Sequence, residues 1–288
     1  MSNIIRGINT GTIMHEENLL AIVIKVRNRE GIDEAYTMQH TVIRDFLLII
    51  QNRLMAVMEK LQIDGDKYKA VLIAENQELI SNIPTMQLED VECPDPAKRI
   101  MSIALKKDSE TFTIICALQS EQIITLRFSN GQSEFIMRAI LQALQNSGDK
   151  EAILHFSGTL DFIMLYDCEL DESATMNYQH YTHDEWRKAL FPNHVAILFS
   201  YHTDDGEKLL CGCIVKTYLT AKDQQIQNVA LRIMHLIPKF RGYNDKHKIK
   251  RTFMHDISAE DYQTLSAEQG LKFLQNYYLE TKASLGIE

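Results

Sequence analysis

The sequence predicts an α+β protein. Three observations predict it: short β-rich runs joined by turn residues, helical stretches with an apolar stripe behind them, and recurrence of that order along the chain. The order reads βββαα, βββαα and ββαβα. It describes tandem antiparallel β-meander units, each backed by helices, at 1–90, 91–183 and 184–288, folded into one compact body.

In the first unit, Ile4–Ile13 and Leu19–Val26 read as a hairpin about the polar tip His15-Glu-Glu-Asn18. Asn28–Gly31 turns the chain into a third strand, Glu34–Met38. Ile43, Leu47, Ile50, Leu54, Met58 and Leu61 then recur at intervals of three and four, the mark of one helix face from Thr41 to Gln62. Phe46, Leu48 and Ile49 widen that stripe, so the start of the helix is expected to be buried on most sides. Asp64-Gly65-Asp66 separates a second helix, Lys67–Ser81, and Pro84 marks a break. Thr85–Lys98, with Pro94 and Pro96, reads as a linker or wrapping loop.

The second unit offers strands at Ile100–Leu105, Thr111–Leu118 and Ile123–Phe128. Ser129 and Gln132 have the spacing of a capping box, and Ile136, Ala139, Ile140, Ala143 and Leu144 form the stripe of the helix that follows. Gly148 ends it, and a further helix is expected from Glu151 to Tyr166. In the third unit, His194–His202 and Lys208–Thr217 flank the hairpin turn Thr203-Asp-Asp-Gly206. A helix at Lys222–Leu236 is stopped by Pro238. A strand at His247–His255 and a long helix at Ser258–Ser284 follow, with Asp261 three residues after Ser258 as a cap.

The chain has 288 residues, 45 % apolar and 24 % charged, enough to bury a full core without disulfide or metal staples. That excludes a disordered chain, a collagen-like repeat and a small disulfide scaffold. Thirty Lys and Arg against 39 Asp and Glu give a net charge of −9. The five cysteines are odd in number and scattered, and even the local pair Cys211-Gly-Cys213 reads as small buried hydrophobes. The opening residues have no secretory apolar core, and the run Phe46–Ile50 is far short of the roughly 20 residues that span a bilayer. A cytoplasmic protein without a membrane segment is expected.

No phosphate-cradling glycine loop, nucleophile elbow or zinc-protease motif occurs, which weighs against an enzyme, and no cofactor is expected. The stretch richest in metal-ligating types is Asp167–Glu185, with Asp171, Glu172, His180 and His183. One helical turn would bring His180 and His183 together for a metal-dependent enzyme, whereas the plainer reading is a solvated acidic loop. Asp161 and Asp167 flank the apolar run Phe162–Tyr166 and are expected to face water at its edges. Asp204-Asp205 fits a turn.

Charge distribution is more informative. Lys239, Arg241, Lys246, Lys248, Lys250 and Arg251 stand together with Phe240, Tyr243 and Phe253, against the single acid Asp245. Cations interleaved with aromatics suit a nucleic-acid backbone and unstacked bases. They equally suit an edge strand guarded by Lys, or a dock for an acidic segment of a partner. Strand alternation places Lys248 and Lys250 on one face and Ile249, Arg251 and Phe253 on the other. Met55 and Met58 fall in an apolar run and are expected in the core. Tyr277-Tyr278 reads as a partly exposed aromatic pair fit for an oligomer contact.

The stretches Gly7-Ile-Asn-Thr-Gly-Thr-Ile13, Thr37-Met-Gln-His-Thr-Val-Ile-Arg-Asp-Phe-Leu47 and Leu160-Asp-Phe-Ile163 resemble the YjeJ family of uncharacterised enterobacterial proteins. The resemblance runs along most of the chain. It implies a bacterial cytoplasmic setting and brings no activity, cofactor or catalytic residue. In element order alone the chain is similar to the Whirly-type single-strand-binding proteins, and the third unit departs from that order by placing a helix before its last strand. The leading expectation is a non-enzymatic binding or scaffold protein that forms a homo-oligomer. A single-strand nucleic-acid binder using 239–251 comes second, and a metal-dependent enzyme at 167–185 third.

Overall fold

The computed structural model describes residues 3–107, 111–170, 176–258 and 265–286. Its helices and antiparallel meanders make an α+β fold, divided into two compact units, Met1–Leu160 and Asp161–Glu288.

The first unit is a barrel. Strands β1 (Asn3–His15), β2 (Asn18–Asn28) and β3 (Asp33–Met38) form one antiparallel meander, and β4 (Arg99–Lys107), β5 (Thr111–Leu118) and β6 (Ile123–Ser129) form another. Two short parallel seams, Thr37–Met38 beside Arg99–Ile100 and Asn3–Ile4 beside Leu126–Arg127, close the six strands into a ring. Along β5 burial alternates, with Phe112, Ile114, Cys116 and Leu118 in the core. Residues 21–26 of β2 are buried without a break, because both of its faces are covered.

Helix α1 (His40–Ser81) connects the meanders and bends at Gly65, whose backbone (φ 58°, ψ −142°) is open to glycine alone. Its first arm opens with Val42, Ile43 and Phe46–Ile50 all buried, and Phe46 meets Phe128 edge to face at 6.3 Å. The far end presses onto β1 at Gly7, where any Cβ would stand 1.8 Å from the Asn82 carbonyl oxygen. Residues 82–98 wrap the barrel through a short helix, α2 (Leu88–Glu92), tied down by Lys25–Asp90 (2.7 Å) and by Asn9 donating to the Pro84 carbonyl (2.9 Å). The Ser129–Gln132 capping box forms as the spacing predicts and leads into α3 (Ser133–Ser147), then α4 (Lys150–Gly158).

The second unit is a five-stranded antiparallel sheet. Its elements are β7 (Phe162–Leu170), β8 (Met176–His180), α5 (Glu185–Lys188), β9 (Asn193–Thr203), β10 (Gly206–Thr217), α6 (Ile226–Leu236), α7 (Pro238–Lys246), β11 (Lys248–Ile257) and α8 (Ala267–Leu285). Spatial order is β11-β9-β10-β7-β8. Helices α6 and α7 cover one face through Val229, Ile233 and Phe240. Helix α8 covers the other, approaching closely at Gly270, where a Cβ would crowd Tyr166 and Ile214.

Four expectations are corrected. The joint expected at 90/91 lies inside the barrel, because neither meander closes a core without the other's seams. The joint expected at 183/184 falls within the second unit, because Phe162–Tyr166 is the start of a strand paired with β10 rather than the end of a helix. A run apolar at every position fits a doubly covered strand as well as a helix, and here the sheet decides. Pro238 both stops α6 and opens α7, as proline at the first helical position does. The last helix starts at Ala267 behind a Ser266–Gln269 capping box. Ser258 is not helical, and Asp261 lies outside the described residues.

Candidate functional site

The basic segment is split between two elements, and half of its charge is engaged at home. On α7, Phe240 and Tyr243 turn inward, their rings tilted against those of Phe199 (5.4 Å) and Tyr201 (6.1 Å). Lys239 goes in with them and donates to Asp167 Oδ1 at 2.9 Å, while the Tyr181 hydroxyl donates to Oδ2 at 2.6 Å. Asp167 is wholly buried, not at a water-facing edge as expected. Asp161 is half-buried and pairs with Arg232. Burial, then the hydrogen bond to the Asp167 carboxylate, pushes the Tyr181 hydroxyl far above its ordinary pKa.

On β11, an edge strand, a bulge at Lys250 breaks the expected alternation and returns Arg251 to the side of Lys248. Lys250 (2.7 Å) and Arg251 (3.4 Å) both reach Glu207, which also accepts from Ser200 Oγ at 2.8 Å. Burial opposes ionisation of Glu207, but the Lys250 and Ser200 hydrogen bonds and the Arg251 charge hold its carboxyl below the ordinary value. Arg241, Lys246 and Lys248 are exposed and spread over a helix and a strand.

The histidine pair does not assemble. His180 closes β8 opposite Tyr166 and stacks on its ring at 5.0 Å, while Nε2 of His183 sits 2.6 Å from the Met164 carbonyl. The helical turn that would join them is absent, because residues 176–180 pair as a strand and 181–184 are irregular. Among the described residues no group of three His, Cys, Asp or Glu is arranged to hold an ion. Asp171 and Glu172 lie outside them. All five cysteines are free thiols, four of them buried, and burial pushes Cys116 and Cys168 up to about 12 and Cys211 and Cys213 higher. They pack as small apolar groups. Tyr278 is buried and Tyr277 half-buried against His255, so the expected exposed pair is not formed.

The surface that stands out lies where no motif pointed. Past its buried start, α1 runs beyond what the barrel covers, then folds back at Gly65, and its two arms border an open cleft of about 580 Å³. Leu54, Met55, Met58 and Leu61 line it from the first arm and Leu72 and Ile73 from the second, over a floor of Asn130 and Gly131. The floor fixes both arms. Asn130 accepts from buried Arg53 at 2.9 Å and meets the Tyr68 hydroxyl at 3.5 Å, and the Gly131 amide donates to Glu75 at 2.8 Å. Lys60 lies over the Tyr68 ring at 4.6 Å near the bend.

Met58 is 60 % exposed and Ile63 83 %, with Val71, Ile73 and Ile80 each close to half, so the expectation of a core methionine at 58 is corrected. The missed signal was length. The stripe from Ile43 to Leu61 outruns the barrel strands that bury its first turns.

The sequence model of the family described as YjeJ-like matches residues 1–284. The chain is 23 % identical over 283 residues to "Uncharacterized protein YjeJ" of Escherichia coli (strain K12), covering 96 % of each. No solved structure matches the chain. Among the described residues no helix is long and apolar enough to cross a membrane.

Proposed function

The chain belongs to the YjeJ-like family, and on that footing we propose that it is a non-enzymatic binding or scaffold protein of the bacterial cytoplasm that self-associates. One observation carries the reading, the apolar cleft between the arms of α1, with Met58 and Ile73 of its lining left to solvent. Contiguous apolar surface of this kind marks a macromolecular interface. A groove between two helices has the shape that takes another helix, and Met55 and Met58 are flexible enough to repack around one. Five free thiols fit a reducing compartment.

The test is light scattering on purified protein across a concentration series, beside Met58→Asp combined with Ile73→Asp. A stable oligomer is expected, with the variant shifted to monomer. Both positions are exposed, so unfolding free energy of the monomer should change by no more than about 0.5 kcal/mol per site. A wild-type chain that stays monomeric at every concentration would refute self-association.

A further inference from the structure

We infer that the crevice beneath the 82–98 wrap binds a free α-amino acid with an apolar side chain, at a site that shares no residue with the α1 cleft. Two pockets, of about 290 and 200 Å³, meet there and have Thr37, Pro94 and Asp95 in common. Concavities of this size take small molecules. The floor is the outer face of β2 and β3, where Val23 stands opposite Thr37 and Lys25 opposite Ala35. The roof is the wrap itself, fixed by the Lys25–Asp90 pair (2.7 Å) and by Asp95, whose Oδ1 accepts from the Ala97 amide at 2.9 Å.

The polar groups left over select the ligand. Thr37 is 8 % exposed and lines both pockets, yet its hydroxyl makes no hydrogen bond among the described residues. A buried hydroxyl in that position costs free energy until something in the crevice meets it. Arg99 is the register partner of Thr37 across the parallel seam and lines the smaller pocket, and Glu89 lines the larger. Neither makes an ion pair among the described residues. The other charges are spent, Asp33 on Arg27, Lys25 on Asp90, and Lys98 beside Glu34 at 3.7 Å. Free charge of both signs in one crevice matches a zwitterion. The carboxylate pairs with the Arg99 guanidinium and accepts from the Thr37 hydroxyl, and the ammonium donates to Glu89 and to the uncommitted oxygen of Asp95. Among the described residues no group of three ligands is arranged for an ion, so these carboxylates serve an organic ammonium. Ile13, Leu20 and Pro96, around the smaller pocket, give the side chain an apolar wall.

Titration calorimetry of the full chain with L-leucine, L-isoleucine and L-phenylalanine tests this, with L-glutamate and L-lysine for contrast and thermal unfolding as a second readout. At least one of the apolar three is expected to bind, more tightly than either charged one. Arg99→Met should weaken that binding roughly tenfold and Thr37→Val about threefold, for one charge-assisted and one neutral hydrogen bond lost. Arg138→Met, on α3 and outside the crevice, should leave it unchanged. The amide of the bound amino acid lacks the carboxylate and its N-acetyl form lacks the ammonium, so each should bind roughly tenfold more weakly. Circular dichroism checks the fold of the variants, and the two derivatives carry the test on the wild-type chain if a variant does not fold. The inference is overturned if none of the apolar three gives heat or raises the unfolding midpoint, or if glutamate or lysine binds more tightly than they do. Binding that persists undiminished in Arg99→Met, or with either derivative, overturns it as well.

Discussion

Residues 239–251 carry six cations, while residues 54–80 carry aliphatic side chains at ordinary helical spacing. The first stretch turns three of its charges back into its own unit, Lys239 onto Asp167 and Lys250 with Arg251 onto Glu207. The second leaves Met58, Ile63, Val71, Ile73 and Ile80 facing solvent. A segment's composition therefore does not say which side chains the fold uses up. What the fold leaves unspent is open to solvent, and that is apolar side chains on α1 together with three cations, Arg241, Lys246 and Lys248.

The sharpest way to break the comparison is to remove Lys239. Asp167 is wholly buried, and a carboxylate stripped of its cation in such a place is costly. Lys239→Met keeps the aliphatic stem and should lower unfolding free energy by roughly 3 kcal/mol in urea titration. Adding Asp167→Asn should recover most of the loss, since the amide still accepts from the Tyr181 hydroxyl. A loss too small to resolve would mean that Lys239 is a surface cation after all, available to a polyanion.

The second unit should also respond to acid. Burial, and then the Lys216 charge across the strand pair, hold His194 at about 4 against an ordinary 6.5. The folded state binds the proton less well than the unfolded chain. This contribution is therefore full above pH 6.5, falls as pH drops towards 4, and is flat below. The wild-type chain should lose on the order of 2–3 kcal/mol more than His194→Gln over that window, read as the difference in urea midpoints. Parallel profiles for the two proteins would show that His194 takes up its proton freely in the fold.

Much of this architecture was legible because its signals are local. The His15–Asn18 tip, the Thr203–Gly206 turn, the Ser129–Gln132 box and the stripe of α3 each act within a few residues and appear where the spacing placed them. Barrel closure was not legible, because the two parallel seams are two residue pairs each, between strands about 60 and 120 positions apart. Phe162–Tyr166 was misread because an apolar run has no period. The burial of Asp167 followed from that misreading, since a bulge between Ile214 and Val215 sets it on the face of Met164 and beneath α7. The cleft was invisible for a different reason. The residues of its first arm were identified, but whether a stripe meets a core or solvent depends on how far the barrel reaches along α1.

The smallest expected effects belong to the rim of β11. Lys250 and Arg251 are 40 % and 52 % exposed around Glu207, so solvent screens both pairs. Lys250→Ala should cost less than about 1 kcal/mol, and Arg251→Ala a similar amount. Against nucleic acid the contrast predicts a flat line. Fluorescence anisotropy with single- and double-stranded DNA and RNA at low ionic strength should show no binding, and Lys248→Glu with Lys250→Glu should change nothing. Arg241, Lys246 and Lys248 are spread over two elements on a chain of net charge −9, which repels a polyanion at long range. Affinity that fell steeply with salt and vanished in the double variant would reverse the comparison. The basic strand, rather than the helical cleft, would then be the surface this fold holds open for a partner.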